Sequence, residues 1–362
     1  MSEKTKVAIA CQGGGAQNAF TAGALKALFE SDILDRVRIV SLSGTSGGAI
    51  CATSLWYSLI RGDKPVWKRT IDLWKDNTAR YPGEILYNRL LVSNLELATK
   101  GLLPVLHPDP YSEIVKYWIN ITRASLREEF IDIRKLLEKN IDFDDIRARG
   151  SIAGPVLLLG ARDVLSGELW KFNSRRETID PEKVIASCAV PTIFEAVKID
   201  GSAYWDGILS DNPPVDELLD PDVVGEENIP DEIWIIKLNP TEREKIPDRP
   251  RDILDRHNEL GGDVSLFHDL SKIEMLNDLF LRDAFKTEFL EHYPIRKPVK
   301  IPKSFPSQQD KSYHIPWIAM SPETRRGLYY ESKFDRSPEY VRSLMEDGEK
   351  QAKQFLAARF EG

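Results

Sequence analysis

Several things are missing from this chain, and each absence removes a class of protein. No apolar run approaches the roughly 18–20 residues that a helix needs to cross a bilayer. Cysteine is scarce: Cys11, Cys51 and Cys188 are scattered and odd in number, with no paired CxxC spacing. That excludes a zinc ribbon and fits a reducing compartment. Positive charge is not in excess. Lys and Arg number 49 against 57 Asp and Glu, a net charge of −8, which is the wrong sign for a nucleic-acid binder built on a basic face. Met1-Ser2-Glu3-Lys4-Thr5-Lys6 leads straight into a strand-like run, so no signal-peptide h-region is expected and the expected location is cytoplasmic. No internal repeat is present. What remains is ordinary: 362 residues, 42% hydrophobic and 29% charged, the composition of a globular protein of about two domains by length.

The first sixty residues read as two strand–turn–helix units. Val7-Ala8-Ile9-Ala10-Cys11 is a short buried-strand pattern that ends in Gly13-Gly14-Gly15. Phe20, Ala24, Leu25, Leu28 and Phe29 then recur at helical spacing, as on a helix with one buried face. Val37 to Leu42 repeats the strand pattern, a glycine-rich turn spans Gly44 to Gly48, and Ala52, Leu55, Trp56, Leu59 and Ile60 mark the next helix. Alternating strands and helices predict an α/β fold with a mostly parallel central sheet covered on both faces.

Residues 62–150 predict a mainly helical insertion or cap. It is rich in aromatics (Trp67, Trp74, Tyr81, Tyr87, Tyr111, Tyr117, Trp118) and broken at Pro82, Pro104, Pro108 and Pro110. Frequency favours core packing for these aromatics and for Leu90-Leu91-Val92 over an acyl tunnel or a bilayer contact. Strand patterns return at Val156 to Gly160, pairing with Leu169 to Phe172 across Ser166-Gly167, and in a hairpin of Val197 to Ile199 with Ala203 to Trp205 turning at Asp200-Gly201. Ile233 to Leu238 reads as a central strand. Residues 1–240 are expected to form the catalytic domain, and 241–362 a mainly helical extension packed on it. That extension carries a proline-rich stretch from Pro294 to Pro316 and a closing helix from Ser337-Pro338, with Val341, Leu344, Met345, Phe355 and Leu356 as its apolar stripe.

Gly44-Thr45-Ser46-Gly47-Gly48 matches G-x-S-x-G between a predicted strand and a predicted helix. A tight strand-to-helix turn presents a serine Oγ at the sheet's edge, and the helix N-terminus favours negative charge forming beside it. In that context Ser46 reads as a nucleophile rather than a structural turn. Gly13-Gly14-Gly15 offers backbone N–H groups that can approach a tetrahedral oxygen with no Cβ in the way. The competing readings are a phosphate loop or a plain tight turn. G-x-G-x-x-G fails because its last position is Asn18, and no GK[ST] follows. His107, His257, His268, His292 and His314 sit in helical or proline-broken segments, where surface or structural roles are expected. Asp206, before Gly207, is the better base candidate, although Asp-Gly read alone is most often just a turn.

These motifs in this order resemble the patatin-like phospholipases. The resemblance rests on Gly13-Gly14-Gly15-Ala16, then Gly44-Thr45-Ser46-Gly47-Gly48, then Asp206-Gly207. Ala186-Ser187-Cys188-Ala189-Val190-Pro191, Ile199-Asp200-Gly201 and Asp211-Asn212-Pro213-Pro214 add to it, and it covers roughly residues 5–240. It implies a three-layer fold and serine-dependent hydrolysis of acyl-lipid esters, of phospholipase A or lysophospholipase type. By the same resemblance Ser46 is the nucleophile and Asp206 the general base of a two-member dyad without histidine. Gly14, Gly15 and Gly47 form the oxyanion hole, with Gly13, Gly44, Gly48 and Gly207 supporting the motifs. No metal or organic cofactor is implied, because no His/Asp/Glu cluster has ligand spacing.

Three positions depart from the family pattern. Gln17 and Asn18 stand where a basic residue and a glycine are usual, and Ile208 where glycine or alanine is usual. Asn18 is expected to tolerate a left-handed backbone. The alternative is a catalytically silent relative that binds lipid or a protein partner; a nucleotide-binding protein is a further rival. The expected partner is an acyl-lipid substrate, with peripheral membrane contact through Arg296, Lys297, Lys300, Lys303 and Lys311 as an option against a solvated loop.

Overall fold

The computed structural model describes residues 4–102, 126–150, 154–191, 193–293, 295, 297–305 and 311–360. Pro104, His107, Pro108, Pro110, Tyr111, Tyr117, Trp118, Pro294 and Arg296 lie outside them.

The two N-terminal units fold as read. Strand β1 is Thr5–Cys11, followed by a 3-10 turn Gly15–Asn18 and helix α1, Ala19–Glu30. Strand β2 is Val37–Gly44, followed by helix α2, Gly47–Arg61. Val7 to Cys11 are all fully buried. Val7, Ile9 and Cys11 face a core shared with α1 and α2, whereas Ala8 and Ala10 face a second core. A parallel strand covered on both faces reads as a continuous apolar run, which is the pattern seen here.

The sheet is mixed and eight-stranded. Its other members are β3 (Val156–Asp163), β4 (Leu169–Asn173), β5 (Val197–Ile199), β6 (Ser202–Asp206), β7 (Glu232–Lys237) and β10 (Ile318–Ala319). The order is β10-β7-β1-β2-β3-β6-β5, with β4 paired to β3 off this path. From β10 to β3 every pairing is parallel; β4, β6 and β5 join antiparallel. The β5–β6 turn uses Asp200 and Gly201, both at positive φ, as a two-residue hairpin requires. A separate parallel pair joins β8 (Ile301–Pro302) to β9 (His314–Ile315).

Residues beyond 240 do more than pack on the outside, since β10 extends the sheet beside β7. Helix α7 (Pro250–Leu281) covers the second face with Leu266, Leu270 and Ile273, while helix α8 (Pro338–Phe360) covers the first with Leu344 and Phe355. Helix α1 is consequently buried almost all round rather than on one face; Lys26 and Glu30 alone escape full burial. The two helices meet through glycines. A Cβ on Gly23 would stand 2.1 Å from the Met345 carbonyl, and one on Gly348 2.1 Å from the Phe20 carbonyl.

The described part of 62–150 is helical: α3 (Lys68–Asn77), α4 (Pro82–Thr99), α5 (Ile133–Asn140) and α6 (Phe143–Arg149). Core packing holds for Trp74, buried beneath α1 and α2, but not for α4. Leu86 and Leu90 on that helix are 57% and 56% exposed, and Leu91 and Val92 are half-buried. The lysine stretch is largely neutralised: Lys297 pairs with Asp231 at 2.7 Å, Lys300 with Glu232 at 3.8 Å and Lys311 with Asp278 at 2.9 Å. His314, expected outside any strand, opens β9 and lies 3.6 Å from Glu274. Among the described residues no helix is long and apolar enough to cross a membrane.

Candidate active site

Ser46 and Asp206 are brought together by strand β3. Along one of its edges, Leu159 pairs with Gly44 of β2, and two residues later Ala161 pairs with Asp206 of β6. Strand β6 takes over that edge where β2 leaves it, because β4 occupies the other edge across both pairings. The turn after β2 and the end of β6 therefore meet at one place on the sheet.

The Ser46 turn is strained and braced. Ser46 has φ 56° and ψ −130°, a left-handed backbone that costs a non-glycine residue about 1–3 kcal/mol. Its N–H donates to the Ser187 carbonyl at 2.9 Å, and Ala49 N–H returns to the Ser46 carbonyl at 2.9 Å. Thr45 Oγ1 donates to the Asp211 carbonyl at 2.5 Å, Ser43 Oγ to the Pro214 carbonyl at 2.6 Å, and Ser187 Oγ to the Gly160 carbonyl at 2.7 Å. These contacts over-determine the turn and hold Ser46 at its strained φ.

The glycine loop lies directly on this turn. A Cβ on Gly13 would stand 2.9 Å from the Ser46 Cβ and 2.6 Å from the Thr45 carbonyl; one on Gly47 would stand 2.7 Å from the Gly15 carbonyl. Gly13 N–H donates to Asn212 Oδ1 at 2.7 Å. The N–H groups of Gly14, Gly15 and Gly47 make no hydrogen bond among the described residues, so three backbone donors of the two glycine-rich turns are uncommitted. Ser46 N–H is not among them, being committed to Ser187.

Asp206 is fully buried. Its Oδ1 accepts the Ile208 N–H at 2.8 Å, whereas Oδ2 has no hydrogen-bond partner. Burial pushes the carboxyl from 3.8 up to about 7; the Ile208 N–H, the Ser46 hydroxyl and the charge of Lys333 each oppose that rise. A carboxyl poised near neutrality beside a hydroxyl is a far better base than an ordinary aspartate. Cys188 sits close by, its thiol donating to the Ser46 carbonyl at 3.2 Å and pushed well above its usual range by burial.

The three departures from the family pattern each find a place. Asn18 has φ −68°, so its left-handed tolerance goes unused and Gly15 carries the positive φ instead. Asn18 Nδ2 donates to the Gln12 carbonyl at 2.7 Å, tying the loop to the end of β1. Gln17 Nε2 donates to Ser332 Oγ at 2.9 Å, and the Ile208 backbone N–H donates to Asp206 Oδ1 at 2.8 Å.

Asn212, Ser187 and Lys333 were not singled out for roles from sequence. Asn212 and Ser187 belong to stretches that carried the resemblance, but only the folded chain shows them bracing Gly13 and Ser46. The fold also gathers Asp216, Glu217 and Asp269 within 4.8 Å of one another. Lys272 pairs with Asp216 at 2.6 Å and Lys171 with Glu217, so lysines already sit in that cluster.

The chain is similar to VipD from Legionella pneumophila, with 17% identity and a TM-score of 0.44, over 98% of this chain and 67% of that one. It is also similar to the heterodimeric ExoU–SpcU complex from the type III secretion system of Pseudomonas aeruginosa, with 16% identity and a TM-score of 0.27, over 82% of this chain and 58% of that one. No curated protein matches it. The sequence profile of the family described as Patatin-like phospholipase matches residues 9–219, from the first strand through the Asp206 turn and beyond. That is more than half of the chain, and the protein belongs to the patatin-like phospholipase family.

Proposed function

We propose that the protein is a serine-dependent acyl-ester hydrolase acting on lipids, of phospholipase A or lysophospholipase type, through a Ser46–Asp206 dyad. The observation that carries this reading is the meeting of a strained Ser46, three unbonded backbone N–H groups and a buried carboxyl raised to about 7. In the first step Ser46 Oγ attacks the ester carbonyl while Asp206 Oδ2 takes its proton, and the N–H groups of Gly14, Gly15 and Gly47 stabilise the tetrahedral oxyanion. The C–O bond to the alcohol breaks, and Asp206 returns the proton to the departing oxygen. The acyl group is then on Ser46. Water attacks it, giving its proton to Asp206; the fatty acid leaves and Ser46 Oγ is reprotonated. Membrane contact through exposed Leu86 and Leu90 belongs to the same proposal.

The test is a fluorophosphonate probe on the purified protein, with the adduct located by mass spectrometry beside Ser46→Ala. Labelling confined to Ser46 supports an activated serine. Folded protein that takes no label moves the reading to a silent relative that binds lipid or a protein partner.

A further inference from the structure

Helix α7 lies outside the span that matches the family, yet it is tied to the glycine loop by two lines of hydrogen bonds. Both run through buried side chains. In the first, Asn212 accepts the Gly13 N–H at 2.7 Å and donates from Nδ2 to the Gly262 carbonyl at 3.1 Å, while its own N–H donates to Ser265 Oγ at 3.1 Å. In the second, Gln12, the residue before Gly13, reaches the same helix. Its Nε2 donates to Asp263 Oδ1 at 2.7 Å, and its Oε1 accepts the N–H groups of Leu238 at 2.8 Å and Asn239 at 2.9 Å. Two donors on one side and a carboxylate on the other leave this amide a single orientation. Asp263 is held in turn by Lys237, the last residue of β7, whose Nζ meets Oδ2 at 2.6 Å.

The second line converges on the loop. Leu238, placed by Gln12 Oε1, rests against it: a Cβ on Gly14 would stand 2.6 Å from Leu238 Cδ1. The Gln12 carbonyl accepts Asn18 Nδ2 at 2.7 Å. The stretch with the uncommitted Gly14 and Gly15 N–H groups is thus fixed at its entry by Gln12, on its flank by Leu238 and at its exit by Asn18. A buried ion pair is a costly way to brace a core, because apolar residues of similar volume often do as well. What the Asp263 carboxylate adds is an acceptor that fixes the direction of Gln12.

We propose that Asp263 is a positioning residue of the active site, acting through Gln12 to hold the glycine loop against Ser46 as oxyanion binding requires. The inference rests on the dyad reading above, and it makes α7 a part of the site rather than only its cover.

The experiment reverses the hydrogen bond between positions 12 and 263 with side chains of unchanged shape. In Asp263→Asn either orientation of the new amide sets its N–H group against a donor, Gln12 Nε2 or Lys237 Nζ. In Gln12→Glu a second carboxylate opposes Asp263. Gln12→Glu/Asp263→Asn restores the match: the carboxylate at 12 accepts from the amide at 263, whose oxygen faces Lys237. It gives up only the long contacts from Asn239 Nδ2 at 3.3 Å and to the Asn212 carbonyl at 3.5 Å.

Turnover of a short-chain ester is measured per active site, with sites counted by complete fluorophosphonate labelling. Each single variant is expected to lose about ten- to hundredfold in kcat, with KM within about twofold of wild type. The double variant returns to within about fivefold of wild type. Amide hydrogen exchange over residues 12–18 and 236–240, read by mass spectrometry in Ser46→Ala protein, follows the loop without turnover; it is faster in each single variant and restored in the double. If the double variant does not fold, Asp263→Asn/Lys237→Met replaces it. The methionine packs where the Lys237 ammonium now lies 5.5 Å from the Phe267 ring and 5.8 Å from the Trp317 ring, and the amide oxygen is left to Gln12. Single variants at wild-type kcat, a loss carried by KM, unchanged exchange, or a double variant no better than the worse single variant overturn the proposal. If instead the wild type hydrolyses nothing and takes no label, the dyad reading falls, and hydrogen exchange still decides whether Asp263 holds the loop.

Discussion

The turns after β1 and β2 start from the same local plan and end differently. Both follow a buried parallel strand, both are rich in glycine, and both open a helix. After β1 the positive φ falls on Gly15 and the turn exposes backbone N–H groups. After β2 it falls on Ser46, and the turn exposes a side chain. In the proposed mechanism one turn receives negative charge, and the other delivers the group that creates it. A strained non-glycine residue at the second turn persists only because Ser187, Asp211 and Pro214 hold the chain around it; the first turn needs no such brace for its conformation, and Asn212, Asn18 and Gln17 hold its position.

Changes at the two turns break this comparison in graded ways. Ser46→Ala is expected to lower ester turnover by about 10⁴-fold or more, leaving the fold intact by circular dichroism. Asp206→Asn comes next, with a loss of about 10²–10⁴-fold in kcat and a compensating gain in stability. Its carboxyl holds a proton more tightly folded than unfolded, so the wild type loses stability as pH rises from about 4 to about 7. The melting advantage of Asp206→Asn should accordingly grow over that range and level off above it. The span from 3.8 to about 7 sets an upper bound of about 4 kcal/mol. A variant equally stable relative to wild type at pH 4 and pH 8 would contradict the raised carboxyl.

On the β1 side, Gly13→Ala drives a methyl against the Ser46 Cβ and the Thr45 carbonyl. Displacing the oxyanion donors should cost about 10²–10³ in turnover, measured on material that still melts cooperatively. Asn212→Ala leaves Gly13 N–H without its acceptor, with about tenfold lower turnover and about 1–3 kcal/mol lower stability by urea denaturation. Gln17→Ala is the mildest: one hydrogen bond to Ser332 at 2.9 Å, worth about 0.5–1.5 kcal/mol, and a few-fold effect on rate.

Much of the fold was legible because its signals are local. The strands at Val7 and Val37, the hairpin turning at Asp200-Gly201 and the strand at Ile233 each carry their own pattern of apolar residues and turn residues. Burial all round α1 was not, because it depends on Gly348 arriving some three hundred positions later. Helix α4 misled in the other direction: frequency favours burying its leucines, yet Leu86 and Leu90 face outward. His314 entered a strand because its short partner, Ile301–Pro302, lies on a neighbouring chain segment that no local pattern announces.

For the site, the chain alone determined which residues have the right chemistry: a serine in a glycine-rich strand-to-helix turn, glycines with free N–H groups, and an aspartate before a glycine. Only the tertiary structure decided that Leu159 and Ala161 of one strand align Gly44 with Asp206. It also decided that Asp206 is buried enough to be raised near neutrality, and that the segment around Lys333 reaches the glycine loop from the far end of the chain. The physical reason is that strand pattern and turn chemistry are short-range properties of the backbone. Desolvation and Coulomb interaction depend on what surrounds a group in space, and that is set when distant segments pack.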